Sequence, residues 1–493
     1  MIPLLSSTPE AQGMDSAQVA EFVRGMFSEL KPYVHSVLVM RHGRIVAEAY
    51  RGLCSPADRH QLFSLSKSFT STAVGIAIGE GLLSLDDTVV SFFPEALTDR
   101  VSDRMRRVRV RDLLSMQSGR ASCGIFNANW QKLDARPFAD DRPWIVNLLE
   151  NALEYEPGTQ FAYDSSATYT LSAIIRKVTG VDLTAYLRPR FFEPVGIGAD
   201  IVWDRDPEGL ELGGWGLNLS TREIARAAQV WLHFGKAPGG QQLIPEAYMR
   251  LATSKVSQNY DKDCADWRQG YGFQFWQCQH GCFRADGASG QLAVMMPKHD
   301  AVVVVTAGIV DMQRELDMIW DRLLPAFRES AMPEHPAAIA GLRAAEAAPQ
   351  FDLGPRGKPA ANVEPLAFET AANVLGVTFV SFRQMADGVL LDLGFSDGST
   401  DTIRAGFDAP QPCALAHIDP LHVFAAWGRA HWPKPETLEL RLAVPTSTSF
   451  YTMTLDIVSR TLHVQTPIWF PRQWKADVTL TSGKSAPRCL CNK

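Results

Sequence analysis

The segment FSLSKSFTS, residues 63–71, places five hydroxyl side chains around a single lysine, Lys67. In a helix, residues three or four positions apart share a face, so that Ser64, Thr70 and Ser71 can face the lysine, whereas its direct neighbours point away. Ser64 also lies where the helix is predicted to begin, beside unpaired backbone N–H groups and the positive end of the helix dipole, which stabilise a developing alkoxide. The S-x-x-K spacing therefore favours Ser64 as a nucleophile and Lys67 as the base that activates it.

The lysine can act as a base only if its surroundings disfavour its charged form. In water a lysine is half protonated at about pH 10.4, and burial in an apolar environment lowers that pKa. Phe63, Leu65 and Phe69 supply apolar side chains within the same segment. The alternative for the same residues is a serine that caps a helix and an ordinary lysine one turn later. The pattern alone leaves both interpretations open.

Other sequence blocks give this segment a context: HSVLVMRHGRIVAEAYRG, LFSLSKSFTSTAVGIAIGEGLLSLDDTV, VRVRDLLSMQSG, EPGTQFAYDSSATYTLSAIIRKVTG, FFEPVGI, GGWGLNLSTREIARAAQ and ADGASGQLAVMMP. Through these blocks, which span roughly residues 8–325 in the family's order, the chain resembles the serine β-lactamase and penicillin-recognising superfamily. It is most similar to the class C-like branch, which contains family VIII carboxylesterases, D-aminopeptidases and 6-aminohexanoate-dimer hydrolase. The resemblance implies an α/β, β-lactamase-like fold in which helices flank an antiparallel sheet and a helical domain is inserted.

The resemblance also implies the other catalytic residues. The tyrosine of the family's Y-x-N element matches Tyr163 in FAYDSS, and its family role is that of a phenolate-like base that takes the serine proton and returns it to the leaving group. Lys67 would be the cation that such a tyrosine needs close by. The oxyanion hole of the family matches the backbone N–H groups of Ser64 and Ala288. The implied chemistry needs no metal and no other cofactor.

Two positions depart from the family pattern. The asparagine of Y-x-N is replaced by Ser165, which shortens an amide to a hydroxyl. The third motif, K-T-G or H-x-G in relatives, reads Ala285-Asp286-Gly287 and so lacks a cation beside the tyrosine. We expect Ser165, Asp286 and Gly287 to contact substrate. Since Asp286 would repel an anion, efficient β-lactam hydrolysis is disfavoured, whereas a neutral ester or amide, or a cationic substrate end, is acceptable.

Composition changes along the chain predict two domains. Residues 1–330 contain the family blocks and read as the hydrolase domain, and 331–365 form a linker rich in Ala and Pro with room for a short helix. Residues 366–493 consist of short alternating runs, which predict an all-β antiparallel domain, either a barrel or a sandwich. One run contains GFSDG (394–398), which fits a G-x-S-x-G nucleophile elbow. Its flanks are strand-like on both sides, which favours a hairpin turn over an elbow with Ser396 as nucleophile.

Charge and hydropathy exclude several classes of partner. The 493 residues carry a formal net charge of -6, which argues against nucleic acid as a partner. The basic segment 100–112 could contact nucleic acid. Its RVRVRD half, however, alternates like an exposed or edge strand, which favours a solvated surface. No apolar stretch has the length of a membrane span, and the first residues lack the basic n-region of a signal peptide, so we expect a cytoplasmic protein.

Two groups of residues could suggest a metal site. Cys278 and Cys282 flank His280, but this spacing is too irregular for zinc, and the eight cysteines of the chain are otherwise sparse. The run AHIDPLH contains two histidines and an aspartate around a proline turn, where histidines are more often structural: His417, Asp419 and His422. We therefore predict no metal site.

The sequence predicts a serine hydrolase that cleaves a small ester or amide through an acyl-enzyme on Ser64. A D-aminopeptidase or amidase, in which Asp286 or Asp164 meets a substrate amine, and a weak β-lactamase are alternatives. A silent ligand-binding module with this fold is the alternative from another class. The β domain could cap the cleft, stabilise the fold or form a dimer interface, so a homodimer is among the expected assemblies. Four aromatic residues could line an acyl pocket or belong to the core: Trp203, Trp215, Tyr271 and Phe273.

Overall fold

The computed structural model describes residues 4–30, 32–125, 138, 142–259, 264–347, 349–351, 353–357, 363–417, 424–448, 450–466 and 474–481. The chain divides into two compact units, residues 1–349 and 350–493. The first unit contains every candidate catalytic residue.

An antiparallel sheet of six strands forms the centre of the first unit, and a smaller sheet of three strands lies beside the segment that leads to Ser64. Within the described residues, the strands of this unit are β1 (Pro32–Arg41), β2 (Arg44–Tyr50), β3 (Arg59–Gln61), β4 (Val202–Trp203), β5 (Leu217–Ser220), β6 (Trp276–Gln277), β7 (Phe283–Gly287), β8 (Gln291–Met296) and β9 (Ala301–Ile309). The large sheet has the order β2-β1-β9-β8-β7-β6, and the small sheet has the order β3-β5-β4. The large sheet therefore joins the beginning of the unit to its end, as the predicted fold requires.

Helices cover both faces of the large sheet. Those described in this unit are α1 (Ser16–Glu29), α2 (Ser66–Gly79), α3 (Asp103–Arg107), α4 (Val110–Leu114), α5 (Trp144–Glu150), α6 (Ser165–Thr179), α7 (Leu183–Leu187), α8 (Glu193–Val195), α9 (Thr221–Leu232), α10 (Glu246–Ala252), α11 (Met312–Met318) and α12 (Pro336–Ala347). Successive residues of β1 belong to different hydrophobic clusters, Val37 to that of α1 and Leu38 to that of α2. This alternation follows from the period of two in a strand. Helices on both faces of an antiparallel sheet confirm the predicted α/β class.

Helix α12 lies inside the segment that we predicted as a linker. Leu342 and Ala345 are buried against the first unit, where the helix packs on α1 and β2. Glu346 also accepts a hydrogen bond from the Glu48 backbone N–H. Composition alone did not indicate this docking, because a helix rich in alanine presents only two buried side chains.

The predicted exposed strand in the basic segment is wrong, because its residues form α3 and α4. Ser102 caps α3 through a bond from the Met105 N–H, and Asp112 accepts a 2.9 Å bond from the Arg109 N–H at the start of α4. These caps accept hydrogen bonds from backbone N–H groups that, in a strand, would have to pair with a neighbouring strand. The arginine side chains are nevertheless exposed, as expected; for example, Arg109 pairs with Asp86.

The second unit is built from strands alone within its described residues. They are β10 (Leu366–Glu369), β11 (Val377–Gln384), β12 (Gly388–Phe395), β13 (Thr400–Gly406), β14 (Gln411–Leu415), β15 (Phe424–Lys434), β16 (Thr437–Ala443), β17 (Phe450–Asp456), β18 (Thr461–Thr466) and β19 (Trp474–Thr479). Consecutive strands along the sheet are antiparallel except for the short parallel pair of β13 and β15. The sheet closes on itself, because the Ala371 N–H donates to the Thr479 carbonyl and the Thr481 N–H donates to the Glu369 carbonyl. The predicted all-β unit is confirmed, in the form of a barrel.

The G-x-S-x-G match lies in a hairpin of this unit, as predicted. β12 and β13 pair antiparallel, and Ser396 is exposed in the turn between them. A nucleophile elbow requires a helix after the turn. In the neighbouring histidine run, His417 Nδ1 lies 2.8 Å from Asp401 Oδ1, while Asp419 and His422 lie outside the described residues. Among the described residues no group of three or more His, Cys, Asp or Glu side chains could hold a metal ion.

Candidate active site

Ser64 lies on a single 3-10 turn, Phe63–Leu65, that leads directly into α2. Phe63 has φ +47°, a left-handed conformation that bulky residues rarely adopt. It turns the chain sharply between β3 and α2, and the adjacent Ser64 remains half-buried and therefore reachable. The helix proper begins at Ser66, two residues later than predicted.

Lys67 is buried, with 1% of its surface exposed, and its amine lies among oxygen atoms. Its Nζ is 2.9 Å from Ser64 Oγ, 2.9 Å from Ser165 Oγ and 2.7 Å from the Gly214 carbonyl oxygen. Burial lowers the pKa of Lys67 to about 7, and the more distant carboxylates oppose this only in part. A large fraction of this lysine is therefore uncharged near neutral pH, which is the condition that the sequence interpretation required.

Tyr163 contacts the same serine from the other side. Its side chain hydrogen-bonds with Ser64, and the Lys67 amine lies 4.9 Å from the centroid of its ring. Tyr163 is partly exposed and lines a cavity. Burial raises the pKa of Tyr163 above its ordinary value, and the hydrogen bond with Ser64 opposes the rise only in part. Tyr163 is therefore a neutral phenol, which disfavours the phenolate that the family role implies.

The first turn of α6 holds Ser165 beside the lysine. Asp164 caps this helix by accepting a 2.8 Å bond from the Ser166 N–H, and its other oxygen lies 3.4 Å from Arg120 Nη1. Asp164 is completely buried. It therefore positions its two neighbours in sequence, Tyr163 and Ser165, and is not free to meet a substrate amine.

The third motif lies on β7 and its carboxylate has an internal partner. Ala285 packs in the hydrophobic core, and Asp286 Oδ2 accepts a 2.6 Å bond from Arg284 Nε. Arg284 also stacks 4.2 Å from the ring centroid of Trp267. The pair is almost fully buried, so Asp286 does not present a free negative charge to a ligand. Its predicted contact with substrate stays a prediction and is not part of the function proposed below.

The backbone N–H groups of Ser64 and Ala288 stay the predicted oxyanion hole. Gly287, the last residue of β7, approaches the strand before Ser64 so closely that a Cβ atom would lie 2.1 Å from the Leu62 carbonyl oxygen. Ala288 follows directly and is partly exposed. Within the described part of the chain, neither the Ser64 N–H nor the Ala288 N–H donates to a protein acceptor.

A cavity of about 730 Å³ adjoins Tyr163, and we call it the Tyr163 cavity. Its walls include the aromatic side chains of Phe161, Tyr163, Trp267 and Trp276 and amide side chains such as those of Gln117 and Asn259. The rings of Tyr163 and Trp276 are stacked, with centroids 5.4 Å apart. None of the four aromatic residues that the sequence suggested for a pocket lines this cavity. Trp203 and Phe273 belong to the core, and Tyr271 packs behind the wall against Trp276.

Three participants were missed by sequence reasoning. The Gly214 carbonyl is a backbone atom, and the glycine-rich GGWG run was the only signal for it. Trp276 and Arg284 face each other across β6 and β7, with the guanidinium 5.4 Å from the indole centroid. An arginine inside the otherwise buried run FRADG, after several tryptophans, could have indicated this contact.

The beta-lactamase family model matches residues 28–322. This range covers more than half of the chain and contains the whole of the site. The chain belongs to the beta-lactamase family. In this chain Ser64 lies on the turn that leads into α2, within the matched range. No helix among the described residues combines the length and the apolar character needed to cross a membrane.

Similar proteins include hydrolases and penicillin-binding protein homologues. The 6-aminohexanoate-dimer hydrolase of Paenarthrobacter ureafaciens is 27% identical over 284 residues, which are 54% of this chain and 70% of that protein. A family VIII carboxylesterase structure matches with a TM-score of 0.50 at 17% identity and covers 65% of this chain and 99% of its own. The octameric penicillin-binding protein homologue from Pyrococcus abyssi has a TM-score of 0.50 at 17% identity and covers 94% of this chain and 100% of its own. At such identities the structural matches support the fold alone.

Proposed function

We propose that this chain is a serine hydrolase that cleaves an uncharged carboxylic ester or amide through an acyl-enzyme on Ser64. The observation that carries the proposal is the buried Lys67 amine, 2.9 Å from Ser64 Oγ and with its pKa lowered to about 7. The similarity to the 6-aminohexanoate-dimer hydrolase of Paenarthrobacter ureafaciens supports the general reaction class.

The partners of Lys67 orient it as a base. A neutral amine has two N–H bonds and one lone pair. The Gly214 carbonyl can only accept a hydrogen bond, and Ser165 Oγ accepts the second N–H. The lone pair then faces Ser64 Oγ, whose proton it can take as the oxygen attacks the substrate carbonyl. Lys67 thus replaces Tyr163 as the first proton acceptor in this proposal.

Tyr163 acts as the acid for the leaving group. When the tetrahedral intermediate collapses, the bond from the carbonyl carbon to the leaving atom breaks, and that atom takes the phenol proton of Tyr163. The Lys67 ammonium, which shares the Ser64 oxygen with Tyr163, returns a proton to the phenolate. The N–H groups of Ser64 and Ala288 stabilise the oxyanion, and each such donor contributes roughly 3 to 4 kcal/mol to lowering the barrier.

Water completes the cycle by the reverse route. A water molecule in the place of the leaving group attacks the acyl carbonyl and gives one proton to Tyr163 as Tyr163 passes its own proton to neutral Lys67. When the second tetrahedral intermediate collapses, the bond from the carbonyl carbon to Ser64 Oγ breaks, Ser64 Oγ takes the proton of the Lys67 ammonium, and the carboxylic acid and the free enzyme result.

The alternative activities find less support. A D-aminopeptidase needs a free carboxylate for the substrate amine, but Asp164 is bonded internally and Asp286 is paired with Arg284. A β-lactamase of the family pattern uses a cation at the position of Ala285. A silent binding module has no need for a lysine whose pKa is lowered beside a reachable serine.

Covalent labelling tests the proposal. We expect a fluorophosphonate to label the wild-type protein and p-nitrophenyl acetate to give a burst of one equivalent, and we expect both to be lost in Ser64→Ala. Ser396→Ala, at the exposed serine of the G-x-S-x-G hairpin, is the matched control and should keep both. Labelling that persists in Ser64→Ala, or that disappears in Ser396→Ala, would refute the assignment of the nucleophile.

A further inference from the structure

The turn between β7 and β8 carries the Ala288 N–H and depends on contacts outside itself. It consists of Ala288, Ser289 and Gly290, and the last two residues have φ +63° and +90°. A left-handed conformation is uncommon for a residue other than glycine, so the sequence of the turn alone does not fix its shape. The turn also packs closely on its surroundings, because a Cβ atom on Gly290 would lie 2.8 Å from Ile309 Cγ1. The rest of the fold must therefore hold the Ala288 N–H in place.

Gln291, the first residue of β8, binds this turn through its side chain. The residue is fully buried, and its Nε2 lies 2.6 Å from the Ala307 carbonyl oxygen and 3.1 Å from the Ala288 carbonyl oxygen. The Ser289 carbonyl oxygen is slightly farther from Nε2, at 3.4 Å. Gln291 Oε1 accepts a 3.2 Å bond from the Ala307 N–H. Because that N–H must face an oxygen, the orientation of the amide is fixed.

The amide of Gln291 links the turn to the centre of the large sheet. Ala307 belongs to β9, which lies between β1 and β8 and whose residues are all buried. The amide pairs with both backbone groups of Ala307, as a residue of a neighbouring strand would. Its remaining N–H reaches back to the Ala288 carbonyl. The position of Ala288 is therefore tied to the most enclosed strand of the sheet.

The same glutamine also lies against Gly287. Gly287 and Gln291 are register partners, and a Cβ atom on Gly287 would lie 2.9 Å from Gln291 Cβ and 2.1 Å from the Leu62 carbonyl oxygen. Gly287 is thus held between Gln291 and the segment that leads to Ser64. Because the N–H and the carbonyl of Ala288 are attached to one Cα atom, fixing Gly287 before it and the carbonyl after it fixes the direction of the N–H.

We propose that Gln291 is a positioning residue of the oxyanion hole: its amide anchors the Ala288 carbonyl to β9 and so keeps the Ala288 N–H directed at the developing oxyanion. This inference rests on the proposed hydrolase function. Replacing Gln291 should weaken the stabilisation of the oxyanion and leave the contact of Lys67 with Ser64 intact.

Two esters that differ in one atom report on the oxyanion hole. p-Nitrophenyl acetate places an oxygen in the hole, whereas O-(p-nitrophenyl) thioacetate places a sulfur, which is larger and a weaker hydrogen-bond acceptor. The oxygen preference is the ratio of the two kcat/KM values, each divided by the alkaline hydrolysis rate of the same ester. In the wild type we expect it to be roughly a hundredfold. A change that only loosens the fold slows both esters alike and leaves this preference unchanged.

Gln291→Glu at pH 6 removes the bond to the turn and keeps the bonds to β9. A carboxyl group buried among carbonyl oxygens stays protonated at this pH, so its O–H donates to the Ala307 carbonyl and its other oxygen accepts from the Ala307 N–H. No donor then remains for the Ala288 carbonyl, and we expect the oxygen preference to fall about fivefold. Gln291→Met keeps the volume and removes all these bonds, so it should lower the preference about tenfold or more.

Gln274→Met is the matched control. Gln274 is also buried, and its Nε2 donates to the carbonyls of Leu113 and Leu114, away from the β7–β8 turn. In urea unfolding this variant should lose about as much stability as Gln291→Met, because both leave buried backbone groups without their partners. It should nevertheless keep the wild-type oxygen preference.

The outcomes separate this inference from the function on which it rests. Ester hydrolysis that persists in Ser64→Ala overturns the proposed function. Hydrolysis that depends on Ser64 overturns only the role of Gln291 if the wild type has no oxygen preference or if Gln291→Glu keeps it in full. An equal loss of preference in Gln274→Met overturns that role too, because the readout would then follow stability. So does a Gln291→Glu protein that fails to fold at pH 6, since the residue would then support the sheet rather than the turn.

Discussion

The Cα atom of Gly287 lies so close to Leu62 that no side chain fits between them: a Cβ atom would stand 2.1 Å from the Leu62 carbonyl oxygen. This approach joins the end of β7 to the residue two positions before Ser64. It thereby holds together the two backbone segments that carry the N–H groups of the proposed oxyanion hole.

Gly287→Ala should therefore impair catalysis more than folding. The new methyl group must push β7 away from Leu62, which moves the Ala288 N–H out of reach of the oxyanion, and we expect kcat to fall about a hundredfold. The control is Gly239→Ala, at an exposed glycine where a Cβ atom meets nothing within 4 Å. Steady-state kinetics with p-nitrophenyl acetate, together with thermal unfolding, measure both effects. Unchanged kcat in a folded Gly287→Ala protein would argue against this oxyanion hole.

The pH dependence of kcat/KM should report Lys67. Because its pKa is lowered to about 7, the amine is mainly protonated below that pH and cannot accept the Ser64 proton. The rate should fall about tenfold per pH unit below pH 7 and level off above it, since kcat/KM follows the free enzyme. Tyr163, with its pKa raised, should cause no loss at mildly alkaline pH. A rate that is highest while Lys67 is charged would instead favour a tyrosine phenolate as the base.

Sequence patterns could predict Ser64, Lys67 and Tyr163 because each belongs to a motif with a fixed spacing or a fixed place among the family blocks. Their partners left a weaker signal. Gly214 bonds Lys67 from 147 positions away through a backbone atom, which no side-chain pattern records. The direction of the Tyr163 pKa shift depends on how far the fold buries this residue, and its ring contacts come from residues distant in sequence, Tyr271 and Trp276.

The errors in secondary structure have a similar origin. The alternation of Val108, Arg109 and Val110 fits a strand, but both valines are buried without one, Val108 in the link after α3 and Val110 at the start of α4. The hydrogen bond from the Arg109 N–H to Asp112 favours the helix over the strand, and an alternation of polar and apolar residues does not indicate such a bond. Likewise, the aromatic lining of the Tyr163 cavity arises where β6 meets the loop before α6, which is a tertiary contact.

Replacing Lys67 by methionine should change how stability depends on pH. Lys67 has a pKa of about 7 when folded and about 10.4 when unfolded. Between these values the unfolded chain binds the additional proton, so the free energy of unfolding of the wild type relative to Lys67→Met should rise with pH by up to about 1.4 kcal/mol per unit. Below pH 7 the difference should be constant. Urea unfolding at pH 6, 7, 8 and 9 measures this, and Lys236→Met, at an exposed lysine, is the matched control. A flat difference for Lys67→Met would contradict the lowered pKa.

The pair of Asp164 and Arg120 should stabilise the turn that carries Tyr163 and Ser165. Asp164 is completely buried, and its Oδ2 lies 3.4 Å from Arg120 Nη1, so Asp164→Asn removes a charge and leaves the guanidinium buried without its counterion. We expect this variant to lose roughly 3 kcal/mol of unfolding free energy, even though asparagine caps a helix nearly as well as aspartate. Its kcat should also fall, because the capped turn positions both neighbours.

A double-mutant cycle separates the ion pair from the cap. Arg120→Met combined with Asp164→Asn should be less destabilised than the sum of the two single variants, because the second change removes the charge that the first left unpaired. Urea unfolding of the four proteins gives the coupling free energy, which we expect to exceed about 1 kcal/mol. If the two effects simply add, the two side chains do not interact, and the position of Tyr163 must be maintained by the α6 cap and the aromatic contacts with Trp276 alone.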